Sequence, residues 1–599
     1  MRVKVRSLGA ASLASCALLL GGASVPAAAA EPSEKLAAAG TFAAARPTPA
    51  RPTPAREASS AAGQASGTRA ELAPADLVLA RVEEQYADWL DATSAVATID
   101  SGLMTRVGGV DRRGWNDRRL KLAALLPAAL ERIDESALGT EDTRALHAMR
   151  RGLIENALDP AEESLGDGSA AVARCEDRTT RGADSSDPTE LELALYACFQ
   201  EIGDRVPFEG RSIVRTTALE WLQEIDGTDR RKSLFLAFAP LWDAINGADE
   251  ATSPYRRLIR MSAAAQRGGR SAIDDAAAIV GTSRAEVERW LEDVLGAWRA
   301  HSRGSALEPW DYWYAAAAAG RELAHAVPRE RLLPISERFY RDLGADLRAL
   351  GVRHDLEVRP GKAPLAYTDH IRIGRRIGNR WRPAIPRVSA NYEQGGLFVL
   401  NELIHEDGHA VHEAALRTRP AFYSLGGDLF DEAFADVPAW SALEPAWQRK
   451  YLGRASATAS SLRDLYANVM LDIAWGLFEL RMLRHPDTDP NAEWTDITSR
   501  YLNVVPHPEL SWWALRVQLV RWPGYMINYG LGAVLTAAIR ARILDQIGPF
   551  DTGNSRWYRY VSLNLLNFGA SVDTTTLLER FLGKPVSTDA LLKQLQRLD

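Results

Sequence analysis

Three of the chain's ten histidines, His405, His409 and His412, fall within eight residues of one another in LNELIHEDGHAVHEAAL (400–416). His405-Glu406-x-x-His409 is a pattern with chemical meaning. On a helix, two imidazoles four residues apart share a face and can reach one ion, while the glutamate between them serves as a base. Zinc accepts neutral imidazole nitrogens, and its catalytic sites use three protein ligands and keep a fourth position for water. The spacing alone is a weak signal, expected by chance on the order of once per hundred such chains. The bland alternative is a solvated helix face. Leu400, Leu403, Ile404, Ala410 and Val411 argue against it, because they set the motif in an apolar helix where buried histidine and glutamate need partners.

A third ligand belongs downstream, on another helix. LFDEAFADVPAW (429–440) offers Glu432, 23 residues after His409, and Asp436 four residues further on the same face. Glu432 can bind the ion while Asp436 accepts the free ring N–H of a ligating histidine. His412 lies on the stripe of His405 and His409 and is the rival third ligand; one turn past His409, it is better placed to pack beside the ion than to bind it. Asp428 and Asp431 could replace Glu432 only in a different helix register. Hydrolysis also needs a donor for the developing oxyanion. RWPGYMINYGLGAVL (521–535) puts Tyr525 and Tyr529 on one helical face, although tyrosines at this spacing are usually core. Gly530 and Gly532 beside them suggest close packing or room for a ligand.

These residues must be held by a scaffold, and the scaffold reads as helical. From ADLVLARVEEQYADWLDA (75–92) almost to the C-terminus the apolar period is that of helices, and period-two alternation is scarce. The best strand candidates lie in DHIRIGRRIGNRWRPAIPRVSANY (369–392), just before the histidines. The reading is a mainly α domain over 75–599, with an N-terminal helical part (about 75–300), a catalytic part (about 301–599) and a small sheet next to the HExxH helix. The arginines Arg372, Arg375, Arg376, Arg380 and Arg382 either hold a substrate carboxylate or form a solvated strand face, as charge runs usually do.

The formal charge of −7 over 599 residues, with no long basic block, excludes a nucleic-acid partner. MRVKVRS followed by LGAASLASCALLLGGASVPAAAA reads as a signal peptide cleaved after Ala30, hence a secreted or periplasmic protein; lipoprotein anchoring through Cys16 is the lesser alternative. No later segment is apolar for long enough to span a membrane. Residues 31–74, with the repeat RPTPARPTPAR, read as a disordered linker rich in Ala, Pro and Thr. Cys175 and Cys198 are either one disulfide closing a short loop or two buried thiols. Oligomeric state is not encoded in any motif.

VLNELIHEDGHAVHEAAL resembles the metal helix of the thimet oligopeptidase and oligoendopeptidase F family, which are gluzincin zinc metallopeptidases. LFDEAFADVPAW is similar to that family's third-ligand segment, and PGYMINYGLGA (523–533) to its tyrosine-bearing helix. LEPWDYWYAAAAAGREL (307–323), RVSANY (387–392) and LNFGASVDTTTLLERFLGKPVSTDALLKQL (566–595) extend the likeness to the C-terminus. The resemblance implies a large helical ellipsoid with a deep central channel, one Zn2+ per chain at its floor, and oligopeptide substrates. By matching position it makes His405, His409 and Glu432 the ligands, Glu406 the general base, Tyr529 the first choice for oxyanion donor and Tyr525 the second. Asp407 departs from the family, which has an aromatic or apolar residue there. His507 is the histidine nearest to the tyrosine segment, upstream of which the family often carries one. Two other readings stand beside the endopeptidase one: a dipeptidyl carboxypeptidase or carboxypeptidase on the same scaffold, and a peptide-binding protein without catalysis. The intact Glu406 speaks against the last.

Overall fold

The helical period of the sequence becomes a mainly α architecture in which the longest helices are Pro74–Asp100, Thr458–Arg484 and Met526–Ile547. The computed structural model describes residues 74–155, 188–203, 205–267, 271–302, 304–358 and 366–599. The expected leader (1–30), all of the expected linker except Pro74, and Cys175 lie outside the described residues. Cys198 is buried and disulfide-bonded. Among the described residues, no helix is long and apolar enough to cross a membrane.

The stretch 369–392 forms strands as expected, and strands also form outside it, at Arg353–Asp355 and in two short hairpins, Arg106–Val107 with Val110–Asp111 and Val206–Phe208 with Arg211–Ile213. Ile385–Ser389 is the centre of a three-stranded sheet, parallel to Arg353–Asp355 and antiparallel to Tyr367–Arg372, with Tyr367 opposite Ser389 and Thr368 opposite Val388. A bulge between His370 and Arg372 shifts the register, and pairing resumes with Arg372 opposite Ile385. The arginine stretch then makes a hairpin, Arg375–Ile377 against Arg380–Arg382. Its arginines are not simply a solvated face. Arg375 binds Asp88 at 2.6 Å and Arg382 binds Asp91 at 2.6 Å, so two of them dock the first helix. Arg376 and Arg380 are exposed.

The described residues bury two apolar cores. The smaller one joins the first helix to Arg112–Glu131 and Thr140–Glu155 through Leu79, Tyr86, Trp89, Leu126 and Met149, and closes on Ile373, Ala421 and Phe422. The larger one holds everything that positions the candidate site. At its centre the histidine helix (Leu397–Ala415) packs on the third-ligand helix (Asp428–Ala439), which in turn packs on the tyrosine helix (Met526–Ile547). Glycine allows the first crossing: a Cβ on Gly408 would stand 2.9 Å from the Cα of Ala435, so only a bare backbone fits. Thr536 ties the second by donating to the carbonyl of Ala433 at 2.8 Å.

Candidate active site

Both histidines of the motif turn their Nε2 atoms to one point, and a carboxylate stands behind each Nδ1, hydrogen-bonded at His405 and at ion-pair distance without hydrogen-bond alignment at His409. Asp436 Oδ1 lies 2.9 Å from His405 Nδ1, and Asp431 Oδ1 lies 2.9 Å from His409 Nδ1. The two Nε2 atoms are 3.1 Å apart; Glu432 Oε2 is 3.4 Å from that of His405 and 4.0 Å from that of His409. Three donors around a tetrahedral zinc, each ~2.0–2.1 Å from it, stand about 3.4 Å from one another. The triangle therefore has the dimensions of a zinc site. Glu432 Oε2 is buried and finds no hydrogen-bond donor, which leaves it free to engage a cation. Among the described residues this is the one group of three or more such side chains gathered tightly enough for an ion.

Electrostatics point the same way. Burial lowers the pKa of His405, but Asp436 and Glu432 outweigh it and hold it well above the ordinary value. His409, buried too, is pushed up to about 9, chiefly by Asp431. Two imidazoles surrounded by three carboxylates are a pocket that attracts positive charge, and a divalent cation supplies it without protonating the ligands.

Glu406 is fully buried and is oriented by the sheet: Thr368, on the strand Tyr367–Arg372, donates its hydroxyl to Glu406 Oε2 at 2.7 Å and to the Glu406 carbonyl at 2.9 Å. One turn earlier, burial and then the neighbouring Glu406 hold the Glu402 carboxyl well above the usual carboxylate range.

His412 is buried one turn past His409, outside the ligand triangle. Its Nδ1 lies 3.2 Å from Asp431 Oδ1, and its ring meets Phe430 and Phe434 edge-on, each with centroids 5.4 Å apart. Asp431 thus backs two histidines at once. The sequence offered it only as a substitute ligand; its place directly before Glu432 is the signal that could have marked it. Asp428 sits in the first turn of the third-ligand helix and is no part of the triangle.

The two tyrosines differ. The Tyr525 hydroxyl reaches to 3.4 Å from Glu432 Oε1, at the edge of the triangle. The Tyr529 hydroxyl faces the Gln518 amide at 3.5 Å, and its ring lies under the Arg516 guanidinium. Burial first, then Glu432, lift the Tyr525 phenol well above its ordinary pKa, so it remains a donor. Gly530 is there for packing, since a Cβ would meet Leu291 at 3.3 Å, whereas Gly532 is buried with nothing within 4 Å. His507 lies elsewhere, between Glu308 and Glu509 at 2.8 and 2.7 Å.

Asp407, the residue with no place in the chemistry, faces away from it. It is 0% exposed, accepts from the Ser336 hydroxyl at 2.6 Å and pairs with His354 Nε2 at 2.7 Å. Burial opposes the charge on His354, yet Asp407 raises its pKa above the ordinary value. His354, from the strand Arg353–Asp355, and Ser336 therefore anchor the histidine helix from behind.

No family model matches the sequence. No curated protein matches it either. Solved structures do. Trypanosoma cruzi metallocarboxypeptidase 1 superposes with a TM-score of 0.53 at 15% identity, covering 87% of this chain and 99% of that one. The M32 carboxypeptidase of Deinococcus radiodurans R1 gives 0.52 at 15% identity, covering 87% and 98%. The chain has the fold of the M32 carboxypeptidases. The M32-like fold accounts for nearly the whole length of both neighbours, and it supports the coarser part of the sequence expectation. It agrees with a zinc metallopeptidase scaffold without singling out the thimet oligopeptidase branch.

Proposed function

We propose that this chain is a zinc-dependent metallopeptidase acting as a carboxypeptidase on short peptides. The observation that carries the peptidase reading is the convergence of His405, His409 and Glu432 beside Glu406. Those three residues would hold a zinc ion, which would supply Lewis acidity to a scissile carbonyl and acidify the attacking water. Glu406, its carboxylate steadied by Thr368, takes the proton from that water and passes it to the leaving amine. Tyr525 donates its hydroxyl to the tetrahedral oxyanion, in preference to Tyr529, because its hydroxyl reaches Glu432. Asp436 fixes the His405 imidazole by a hydrogen bond to Nδ1, and Asp431 stands 2.9 Å behind His409 Nδ1, so that Nε2 of each ring would face a bound ion.

The carboxypeptidase form is supported by the activity named for the two solved structures that share the fold. The endopeptidase form keeps the support of the motif resemblance around residues 400–440 and 523–533. Product lengths separate them. On a defined peptide of about ten residues, the proposal expects shortening by one residue at a time from the C-terminus. Internal fragments without C-terminal shortening would return the chain to the oligopeptidase reading. The basic, apolar N-terminus supports action outside the cytoplasm, which a search for processed protein in the exported fraction tests.

A further inference from the structure

Glu479, on the long helix Thr458–Arg484, is 1% exposed and has no part in the chemistry above. Both of its carboxyl oxygens are spent on the turn that starts the tyrosine helix. Gly524 N–H donates to Oε1 at 2.7 Å and Met526 N–H donates to Oε2 at 2.8 Å. Tyr525 is the residue between those two donors. Among the described residues no cation is ion-paired with Glu479, and burial pushes its carboxyl up to about 8 although the two N–H groups pull it down. A buried carboxyl without a cation is costly, and its one evident return here is the geometry of this turn.

The turn's own backbone adds one hydrogen bond, from Tyr525 N–H to the Trp522 carbonyl at 2.9 Å, and Glu479 holds the residues on either side of Tyr525. Pro523 has no N–H to give, and Gly524 adopts φ +101°, a conformation that side-chain-bearing residues rarely take. On the same helix, three residues before Glu479, Gly476 brings the backbone so close that a Cβ there would stand 3.1 Å from the Met526 carbonyl oxygen. The long helix thus grips the turn by close packing at Gly476 and by two hydrogen bonds at Glu479. The product of that grip is the direction of one side chain: the Tyr525 hydroxyl, 3.4 Å from Glu432.

We infer that Glu479 is a positioning residue for peptide hydrolysis, holding Tyr525 where it can donate to the oxyanion. The inference rests on the proposed peptidase activity and deepens it. Glutamine at 479 keeps one acceptor oxygen but turns an NH2 donor toward an N–H donor, so one of the two bonds is lost. Aspartate keeps both acceptors on a shorter arm.

The test uses the zinc-loaded full chain as wild type, E479Q, E479D, Y525F and E479Q/Y525F, with fluorotyrosine placed at 525 for 19F NMR in a parallel set. E479Q is expected to lower kcat about 10- to 100-fold, because misplacing a transition-state donor by about 1 Å has effects of that order. KM and zinc content should stay at the wild-type level, E479D should recover part of kcat, and E479Q should add nothing in the Y525F background. The 525 resonance should shift in E479Q. Wild-type kcat in E479Q, or the same fold-loss with and without Tyr525, overturns the inference. Should E479Q not fold, E479D carries the comparison and must show a smaller loss of the same kind. An inactive wild type whose 525 resonance still shifts in E479Q would sink the peptidase reading and leave the positioning standing. An active wild type with an unmoved resonance does the reverse.

Discussion

One helix, Leu397–Ala415, buries charged groups on two faces, and the faces are finished differently. Behind, Asp407 has both oxygens engaged by Ser336 and His354, so nothing outside the chain is needed. In front, His405, His409 and Glu432 converge on a point where Glu432 Oε2 has no hydrogen-bond donor. The rear cluster is closed by the protein; the front one could hold an ion. Burial and charge are alike on both faces, so they do not distinguish structure from function. The difference between them is the convergence of three ligand atoms on one point in front, which the rear face lacks.

The largest test of that contrast removes a front-face ligand. His409→Ala should abolish zinc retention and peptide turnover together, read by metal analysis after gel filtration, while leaving a folded chain. A variant that keeps its zinc would mean that the triangle is not the site. Breaking the rear face should do the opposite. His354→Ala leaves a buried carboxylate unpaired and should lower unfolding stability by about 3–5 kcal/mol, with zinc stoichiometry intact. Denaturant melts decide it, and a loss of zinc in place of stability would merge the two faces into one site.

A smaller effect lies behind the front face. Asp436→Asn should weaken zinc binding about 10- to 100-fold, measured in metal-buffered competition, because His405 loses the acceptor that fixes its ring. Unchanged affinity would make Asp436 an incidental neighbour.

The smallest effect is a pH slope. Asp407 raises the folded pKa of His354 above its ordinary 6.5, so this pair's stabilisation is fully present below about pH 6.5 and is lost as pH rises through the folded value. The wild type should therefore lose stability relative to His354→Ala over that interval, by at most about 1.4 kcal/mol per pH unit. Parallel stability curves would show that the pair is not ionised.

The sequence carried the front face much better than the rear. His405, Glu406, His409, Glu432 and Asp436 lie on two helices at fixed angular steps, so spacing alone assigns each to a face. The mainly helical fold and the small sheet were legible for the same reason. The partners of Asp407 are 53 and 71 residues away on a strand and another helix, and no local period connects them. The same holds for Thr368 on Glu406, 38 residues apart, and for Glu479 on Gly524, 45 residues apart. The order of the tyrosines depended on how the tyrosine helix crosses its neighbours, which spacing does not contain. The arginine hairpin showed the limit of composition: five arginines in eleven residues look like a binding surface or a solvated one, and two of them dock the first helix through Asp88 and Asp91.

The central claim is that the front face holds zinc for hydrolysis with Glu406 as base. Its most direct test is metal content together with peptide turnover, in wild type and in Glu406→Gln. The account predicts about one zinc per chain in both proteins, and turnover reduced about 10²- to 10⁴-fold in the variant alone. Equal turnover in two zinc-loaded proteins, or a wild type that takes up no zinc, would contradict it.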